Sequence, residues 1–363
     1  METIRIKKGL DIPLDGVAGR TVLDARSIGR YAVKPPDVVG FTPRLLVAEG
    51  DSVAAGQPLV ADKHDPRFTL PSPVDGTVEA IVRGEKRCLM EVVVCRIIQS
   101  NLNNESIQSN QNIQSNPITL TPEAPVWWML RERPFGTIAN PDHNPKGIFV
   151  SMKDTNPLAP DLLFALQGRE QEFEAGCKAL EALAPLHVVY PEGPHPAGNV
   201  GTQIAQIDPI NKGECVWTVG AQDVATIGRW VLTGEYRPER VIAVGGPAAK
   251  APHHYRVTCG ACMKQITDVQ LMNPEYPNLN TLNNQSIQSI QNSPIVQTRI
   301  ISGSPLSGTA IAIDGFLGLY DQQLCLLEEG DQYDFMGWLM PGLKKFSFSK
   351  TFLSGFMSLM GKL

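Results

Sequence analysis

The stretch LVADKHDPRFTLPSPVDGTV, Leu59 to Val78, sets two short apolar runs on either side of a loop rich in turn-forming residues. RLLVA and an EGD turn precede it, and GTVEAIV and CLMEVVVCRII follow it on either side of the turn RGEKR. Short β-type runs at this spacing are typical of hairpins. The stretch therefore predicts an all-β module in the N-terminal part of the chain.

The same stretch is similar to a lipoyl-carrier domain, in which a modified lysine lies at the tip of a tight hairpin. Here HDPRFTL, which includes Pro66, separates Lys63 from Pro71. The longer hairpin displaces its tip, which favours a barrel-sandwich fold used without an acyl group. Lys63 is therefore predicted to be an ordinary surface lysine and not a lipoyl attachment site.

The composition excludes several classes of function. The chain has 363 residues and a formal net charge of -5, and it has no basic run of five or more residues, so a nucleic-acid partner is not expected. Seven scattered cysteines favour reduced thiols in the cytosol. The N-terminus lacks the apolar core of a secretory signal, and no apolar run is long enough to predict a transmembrane helix.

Two stretches rich in Asn, Gln and Ser share the pattern LNN-x-SIQS-x-QN, at 102–112 and again at 282–292. Such residues cannot build a packed core, so both stretches are predicted to be low-complexity surface insertions. They also divide the chain.

Between the insertions, apolar strands alternate with helical patterns. GIFVSM, LHVVY and RVIAVGG are typical of buried strands, whereas residues 161–183 and the run AQDVATIGRWVLTG have helical spacing. Alternating β and α elements predict a mostly parallel, Rossmann-like sheet. After the second insertion, TRIISGSPLSGTAI and QLCLLEEGD predict a compact α+β or β-grasp-like module.

Single motifs give no catalytic site. The pair Cys259 and Cys262 in CGAC is a weak candidate for a metal or redox site, since no second pair has matching spacing. The glycine loops VGGPAAKAP and GNVGTQI fit no phosphate-binding pattern. No nucleophile, base and orienting group can be named together, so the residues by themselves indicate a scaffold or binding subunit.

Nine blocks in one order give a more specific signal: IKKGLDIPL, PVDGTVEAIVRGEKR, RPFGTI, IFVSMKDTNPLAPD, GPHPAGNVGTQI, QDVATIGRWVLTGEY, RIISGSPLSG, LLEEGD and GWLMPGLKKFS. Together they closely resemble the A subunit of the sodium-translocating NADH:quinone oxidoreductase. The resemblance covers nearly the whole chain outside the two insertions. The family chain continues beyond the last block, so a C-terminal truncation relative to the family is expected.

The resemblance implies a peripheral protein on the cytoplasmic side of a six-subunit complex in the bacterial inner membrane. That complex oxidises NADH, reduces quinone and exports sodium. Flavins, iron-sulfur centres, the NADH site and the sodium path would belong to partner subunits, among them the membrane-embedded, flavin-bearing B subunit. This chain would hold no tightly bound cofactor, would be non-catalytic when isolated, and would have quinone as a possible ligand.

The expected fold is a multidomain α/β plus β architecture. The predicted segments are a lipoyl/biotinyl-like barrel-sandwich domain at 1–98, an insertion at 99–122, a Rossmann-like domain at 123–257, a soluble-ligand-binding β-grasp domain at 258–330 with an insertion at 277–294, and the start of a helical domain at 331–363.

A quinone site requires an apolar, partly aromatic surface with a few hydrogen-bond donors. The segments VVGF and WWMLRERPF offer such residues, and their arginines could donate to a quinone carbonyl. The candidate quinone-binding residues are Val39, Phe41, Trp128, Arg131, Arg133 and Phe135. The alternative, that these are core and interface residues, stays open.

Two other functions are compatible with the same domain order. The C subunit of an Rnf-type ferredoxin:NAD oxidoreductase should carry cysteine-rich cluster motifs and a glycine-rich flavin and NADH loop, and this sequence has neither. A lipoyl-type carrier or adaptor protein would need a modified Lys63.

Overall fold

A computed structural model describes residues 2–25, 28–97, 118–271 and 298–330, together with residue 337. Most of the insertion predicted at 99–122, the insertion predicted at 277–294 and the predicted C-terminal helical segment lie outside the described residues.

The described residues form three structural units, namely the barrel and two six-stranded sheets, and the chain passes between them more than once. The strands are β1 (Glu2–Arg5), β2 (Gly19–Asp24), β3 (Arg30–Val33), β4 (Pro43–Leu45), β5 (Ser52–Val53), β6 (Pro58–Asp62), β7 (Thr69–Pro71), β8 (Gly76–Arg83), β9 (Leu89–Arg96), β10 (Arg131–Arg133), β11 (Thr137–Ile138), β12 (Ile148–Ser151), β13 (Leu186–Glu192), β14 (Val216–Gly220), β15 (Glu239–Gly245), β16 (His253–Thr258), β17 (Thr298–Ser302), β18 (Thr309–Ile311) and β19 (Gln323–Glu328). The α-helices are α1 (Leu162–Ala165), α2 (Glu170–Glu181), α3 (Val200–Ile207), α4 (Ala221–Thr233) and α5 (Lys264–Leu271).

The predicted all-β module is confirmed as two antiparallel sheets. One sheet has the order β3-β9-β8-β5 and the other the order β4-β6-β7. Val92, Val93 and Val94 of β9 are all buried, so this strand is covered on both faces. Leu59 and Leu70, from the two strands of the β6–β7 hairpin, are buried in the same core. Burial of these aliphatic side chains is the main stabilising contribution to the module.

The predicted mostly parallel sheet is also present, with the strand order β1-β13-β12-β14-β10-β11. Strands β1, β13, β12 and β14 are parallel, whereas β10 pairs antiparallel with both β14 and β11. Helix α4 ends where its pattern predicts, because Gly234 takes the left-handed cap conformation with a φ of 72°. The single helix predicted over 161–183 is wrong. Gly168, with a φ of 79°, separates α1 from α2.

A second six-stranded sheet has the order β18-β17-β19-β15-β16-β2. It includes β15, which the sequence pattern assigned to the Rossmann-like sheet. The free edge of β14 is occupied by β10, where Arg131 lies opposite Thr218. Strand β15 therefore pairs with β16 and β19 instead.

The N-terminal segment belongs to neither sheet of the barrel. Strand β1 adds to the first six-stranded sheet beside β13, and β2 adds to the second beside β16. Residues 2–25 thus join the two α/β sheets, and the barrel begins at β3. No helix among the described residues is both long and apolar enough to cross a membrane.

One half-buried carboxylate at the junction of the barrel with the second sheet predicts a pH effect. Asp37 accepts a hydrogen bond from the Leu319 N–H at 2.8 Å, and burial raises the pKa of its carboxyl, partly opposed by Lys34. A raised pKa in the folded state means that the charged form costs stability at neutral pH, and that this cost disappears as the pH falls towards the ordinary carboxyl value of about 4. We expect Asp37→Asn to raise the Tm at pH 7 and its advantage over the wild type to shrink as the pH falls.

Thermal unfolding between pH 7 and about pH 4.5 measures this difference. Asp51→Asn is the matched control, because Asp51 is exposed and also accepts one backbone hydrogen bond, from Ala48. An Asp37→Asn advantage that grows towards acid pH would contradict the argument.

Candidate functional site

Three of the predicted quinone-binding residues belong to two segments that approach each other, and two of the three are exposed. Val39 is 56% exposed and Phe135 is 78% exposed, whereas Phe41 is half-buried against the core. Their two segments meet at Gly40, where a β-carbon would lie 3.0 Å from Thr137 Cγ2. We call Val39, Phe41 and Phe135 the apolar patch. It spans the boundary between the barrel and the first α/β sheet.

Trp128 has a different environment. It is buried, its indole N–H donates to the Tyr236 hydroxyl at 3.2 Å, and its ring packs against Tyr320 with centroids 5.5 Å apart. The Tyr320 hydroxyl in turn donates to the Trp128 carbonyl at 3.0 Å. The structure therefore places Trp128 in the core, away from the surface of the apolar patch.

Arg131 and Arg133 lie on the same side of β10 and line one cavity of about 390 Å³. We call this cavity the switch-point crevice. The Nε atoms of both arginines are buried and have no hydrogen-bond acceptor, and the guanidinium carbon of Arg131 lies 4.5 Å from the centroid of the Tyr320 ring. Other residues lining the crevice include Ser151, Lys153, Asn199, Thr218, Gly220 and Asp321. The crevice brings the two predicted arginines together, but it includes neither Trp128 nor the apolar patch.

Glu132, between the two arginines on β10, points to the opposite side of the strand, as the strand period requires. Its carboxylate lies 2.9 Å from His143 Nδ1 and accepts from the Trp217 indole at 3.2 Å. Glu132, His143 and Cys215 offer donor atoms within 4.8 Å of one another, and among the described residues this is the only such group of three or more that could hold a metal ion.

The donor set of this cluster fits a metal poorly. One carboxylate oxygen of Glu132 already accepts from Trp217 and from the Asn140 N–H. Burial and the nearby Glu132 raise the pKa of the Cys215 thiol, which favours its protonated form over the thiolate that binds metals. The cluster acts as a hydrogen-bonding centre that fixes β10. Its spacing of 132, 143 and 215 follows no motif, so no pattern in the sequence points to it.

Lys63 is exposed at the end of β6, in the loop that leads to β7. That loop is tied down, because Arg67 forms ion pairs with Asp65 at 2.7 Å and with Asp142 of the α/β unit at 2.6 Å. A swinging arm needs a hairpin that moves freely, whereas the Arg67–Asp142 ion pair fixes this hairpin to the α/β unit. The absence of a lipoyl group on Lys63 stays a prediction with this geometric support.

Cys259 and Cys262 are both buried in a tight turn after β16. Gly260 between them has a φ of 72°, and a β-carbon there would lie 2.2 Å from the Ala32 carbonyl oxygen. Burial raises the pKa of the Cys259 thiol, and Cys262 Sγ donates to the Asp314 carbonyl at 3.3 Å. These features give the pair a packing role at the contact of the turn with β3, and its weak metal or redox assignment gains no support.

Two sequence families match the chain in the regions where the fold places its barrel and its first α/β sheet. The NqrA N-terminal barrel-sandwich hybrid domain matches residues 4–96, and the NqrA second alpha/beta domain matches residues 119–192 and 186–236. The barrel-sandwich and α/β predictions are thereby confirmed at that level. The second match ends before β15, which the structure places in another sheet.

Curated relatives match over almost the whole length. The relative from Pasteurella multocida is 36% identical over 97% of this chain and 80% of its own length, and the one from Rhodopirellula baltica is 35% identical over 96% and 78%. A relative from Histophilus somni is 35% identical over 98% and 80%. Each is named as the A subunit of a Na(+)-translocating NADH-quinone reductase. At this identity and coverage, the chain belongs to the family of the A subunit of the Na(+)-translocating NADH-quinone reductase, which is part of a sodium-transporting oxidoreductase complex.

Proposed function

We propose that this chain is a peripheral, non-catalytic component on the cytoplasmic side of the bacterial inner membrane, where it helps to bind or shield quinone and to assemble the complex. The B subunit, which is membrane-embedded and carries flavin, is its proposed neighbour. The flavins, iron-sulfur centres, NADH site and sodium path are assigned to partner subunits. The residues at 258–330 are assigned to a soluble-ligand-binding β-grasp domain, a proposal supported by the mixed second sheet and helix α5.

The apolar patch is the single observation that carries the quinone proposal. Val39 and Phe135, on two segments that meet at Gly40 and Thr137, leave apolar surface in water, and such surface marks binding sites when it is continuous. The patch joins two domains, which is where ligand sites occur most often. Quinones carry a flat ring and an isoprenoid tail, both of which bury readily against aromatic and aliphatic side chains.

The six predicted residues do not contribute equally to this proposal. Val39, Phe41 and Phe135 offer contact surface, whereas Trp128 is buried and packs against Tyr320 in the core. Arg131 and Arg133 open into the crevice, on a different part of the surface from the exposed side chains. The quinone contact is therefore assigned to the apolar patch.

We expect Val39→Asp to raise the quinone KM of the assembled complex by about fivefold, which corresponds to roughly 1 kcal/mol of lost binding. The charge would be desolvated wherever quinone or its tail covers this position, and the surface location leaves folding intact. Steady-state quinone reduction at saturating NADH measures the effect. A photoreactive quinone analogue should label 39–41 or 135 in the same preparation.

Val269→Asp is the matched control, because Val269 on α5 is 57% exposed against 56% for Val39. The control should leave the quinone KM unchanged, and both variants should co-purify with the membrane subunits. An unchanged KM in Val39→Asp together with labelling of neither segment would contradict the quinone proposal. Loss of co-purification in Val39→Asp alone would assign the patch to contact with a partner protein instead.

A further inference from the structure

The switch-point crevice lies where the strand order of the first six-stranded sheet reverses. Strands β13 and β14 follow β12 in the sequence but flank it on opposite sides, and all three run parallel. The loop after β12 leads to α1 and α2 on one face of the sheet, whereas the loop after β13 leads to α3 on the other face, so these two loops diverge and leave a gap between them. In open α/β sheets, ligands bind in this gap. The cavity of about 390 Å³ falls within the range of small-molecule sites, roughly 300–1,000 Å³.

Three basic side chains line the crevice: Arg131 and Arg133 from β10, and Lys153 from the loop after β12. Within the described part of the chain, none of them forms an ion pair with a carboxylate. Both arginine Nε atoms are cut off from water without an acceptor. A buried N–H donor without an acceptor is costly, and such a group in a native structure calls for an explanation, of which a bound ligand is one.

The two arginines also repel each other. Burial lowers the pKa of Arg133, and the neighbouring Arg131 lowers it further. Two carboxylates line the same crevice, but both have other partners. Asp154 accepts from the N–H and the side-chain amide of Asn156, and Asp321 accepts from the Ser302 hydroxyl at 2.6 Å.

The backbone adds donors at the same place. Helix α3 begins at Val200 on the wall of the crevice, and the side chain of Asn199 does not cap it. The first N–H groups of a helix without a side-chain cap are available to an anion, and the helix dipole favours negative charge there. The crevice is therefore lined by the guanidinium groups of Arg131 and Arg133, the ammonium group of Lys153 and the first N–H groups of α3.

We propose that the switch-point crevice binds a ligand that carries a phosphate group, held by Arg131, Arg133 and Lys153. Guanidinium groups bind phosphate oxygens through paired hydrogen bonds, and Lys153 adds a point charge. The cavity volume leaves room for a group of nucleoside size in addition to the phosphate. The loop after β12, SMKDTNP, contains no glycine, so the site differs from a glycine-rich dinucleotide loop. This inference goes beyond the proposed function, because the ligand is polar and its site is separate from the apolar patch.

Calorimetry and thermal shift with the full chain test the proposal. The ligands are AMP, inorganic phosphate and adenosine. AMP and phosphate are expected to bind and to raise the Tm by mass action, whereas adenosine without phosphate is not. A tighter complex with AMP than with phosphate would assign the remaining volume to the nucleoside. Equal affinities would leave phosphate as the recognised group. Binding of adenosine alone, or of none of the three at millimolar concentration, would overturn the proposal.

Arg133→Gln is the decisive variant because it predicts two opposite effects. It should weaken AMP binding by about tenfold or more through the loss of a charge-assisted contact. It should also raise the Tm of the ligand-free protein, since it removes a half-buried cation whose Nε has no acceptor. Arg44→Gln, at an exposed arginine of β4 outside the crevice, is the matched control and should change neither.

A lower Tm of the ligand-free Arg133→Gln chain with unchanged AMP affinity would overturn the proposal by assigning Arg133 a structural role. The same variant in the assembled complex should leave quinone labelling of the apolar patch unchanged. The phosphate inference and the quinone proposal can therefore fail independently.

Discussion

Arg240→Ala is expected to lower the free energy of unfolding by about 3–5 kcal/mol, because it removes one half of a buried ion pair. Arg240 is 1% exposed, and its Nη2 donates to Asp223 at 2.6 Å. The truncation leaves the Asp223 carboxylate on α4 buried without its partner. Denaturant-induced unfolding of the full chain measures the loss.

The ion pair also connects the second sheet to the crevice. Arg240 Nη1 donates to the carbonyls of Leu319 and Asp321, at 2.9 and 3.0 Å, and so fixes the segment that carries Tyr320. Since the Tyr320 ring lies under Arg131, we expect Arg240→Ala to disturb the crevice as well as the fold.

Arg237→Ala is the control for the Arg240 prediction. Arg237 pairs with Glu235 on the surface, where both side chains are about 45% exposed, and exposed pairs contribute roughly 0–1 kcal/mol. Similar unfolding free energies for the two variants would mean that the buried pair adds little. Replacement of both Asp223 and Arg240 by apolar residues of similar volume should restore much of the loss, because no buried charge would then lack a partner.

The barrel could be predicted from the sequence because its signals are local. Strands β8 and β9 are adjacent in the chain and joined by the turn RGEKR. Their pairing follows from alternation and turn residues, which are visible in a short window.

The sheet membership of β1, β2 and β15 could not be predicted in this way. Strand β1 pairs with residues almost 190 positions away, and β15 is excluded from the first sheet by β10 at its edge. No short window contains this information, because a strand pattern indicates burial but not which edge is free. The break between α1 and α2 did have a signal, since Gly168 lies inside the helical pattern and a glycine there disfavours continuation.

The sequence holds part of the information about the crevice. Arg131 and Arg133 stand out for their donors, and the structure places both in one cavity, while their assignment to quinone stays a prediction. Trp128 is close to them in sequence, but it lies before β10 begins and packs inward. Lys153 carries a signal that the motif analysis does not use, since the rule that ligands bind beyond the carboxyl ends of parallel strands points to the loop after IFVS.

Gly228→Ala is expected to destabilise the chain by at least about 2 kcal/mol, despite the gain of about 1 kcal/mol in helix propensity that alanine brings. A β-carbon on residue 228 of α4 would lie 1.7 Å from the Glu172 carbonyl oxygen of α2, and one on Gly176 would lie 2.1 Å from the Val224 carbonyl oxygen. The two helices are therefore in backbone contact, and a methyl group can enter only if they separate. Gly201→Ala on α3 is the matched control, since nothing lies within 4 Å of its β-carbon. It should stabilise the chain by up to about 1 kcal/mol. Denaturant unfolding of both variants measures the contrast, and equal stabilisation by the two would show that α2 and α4 are not in close contact.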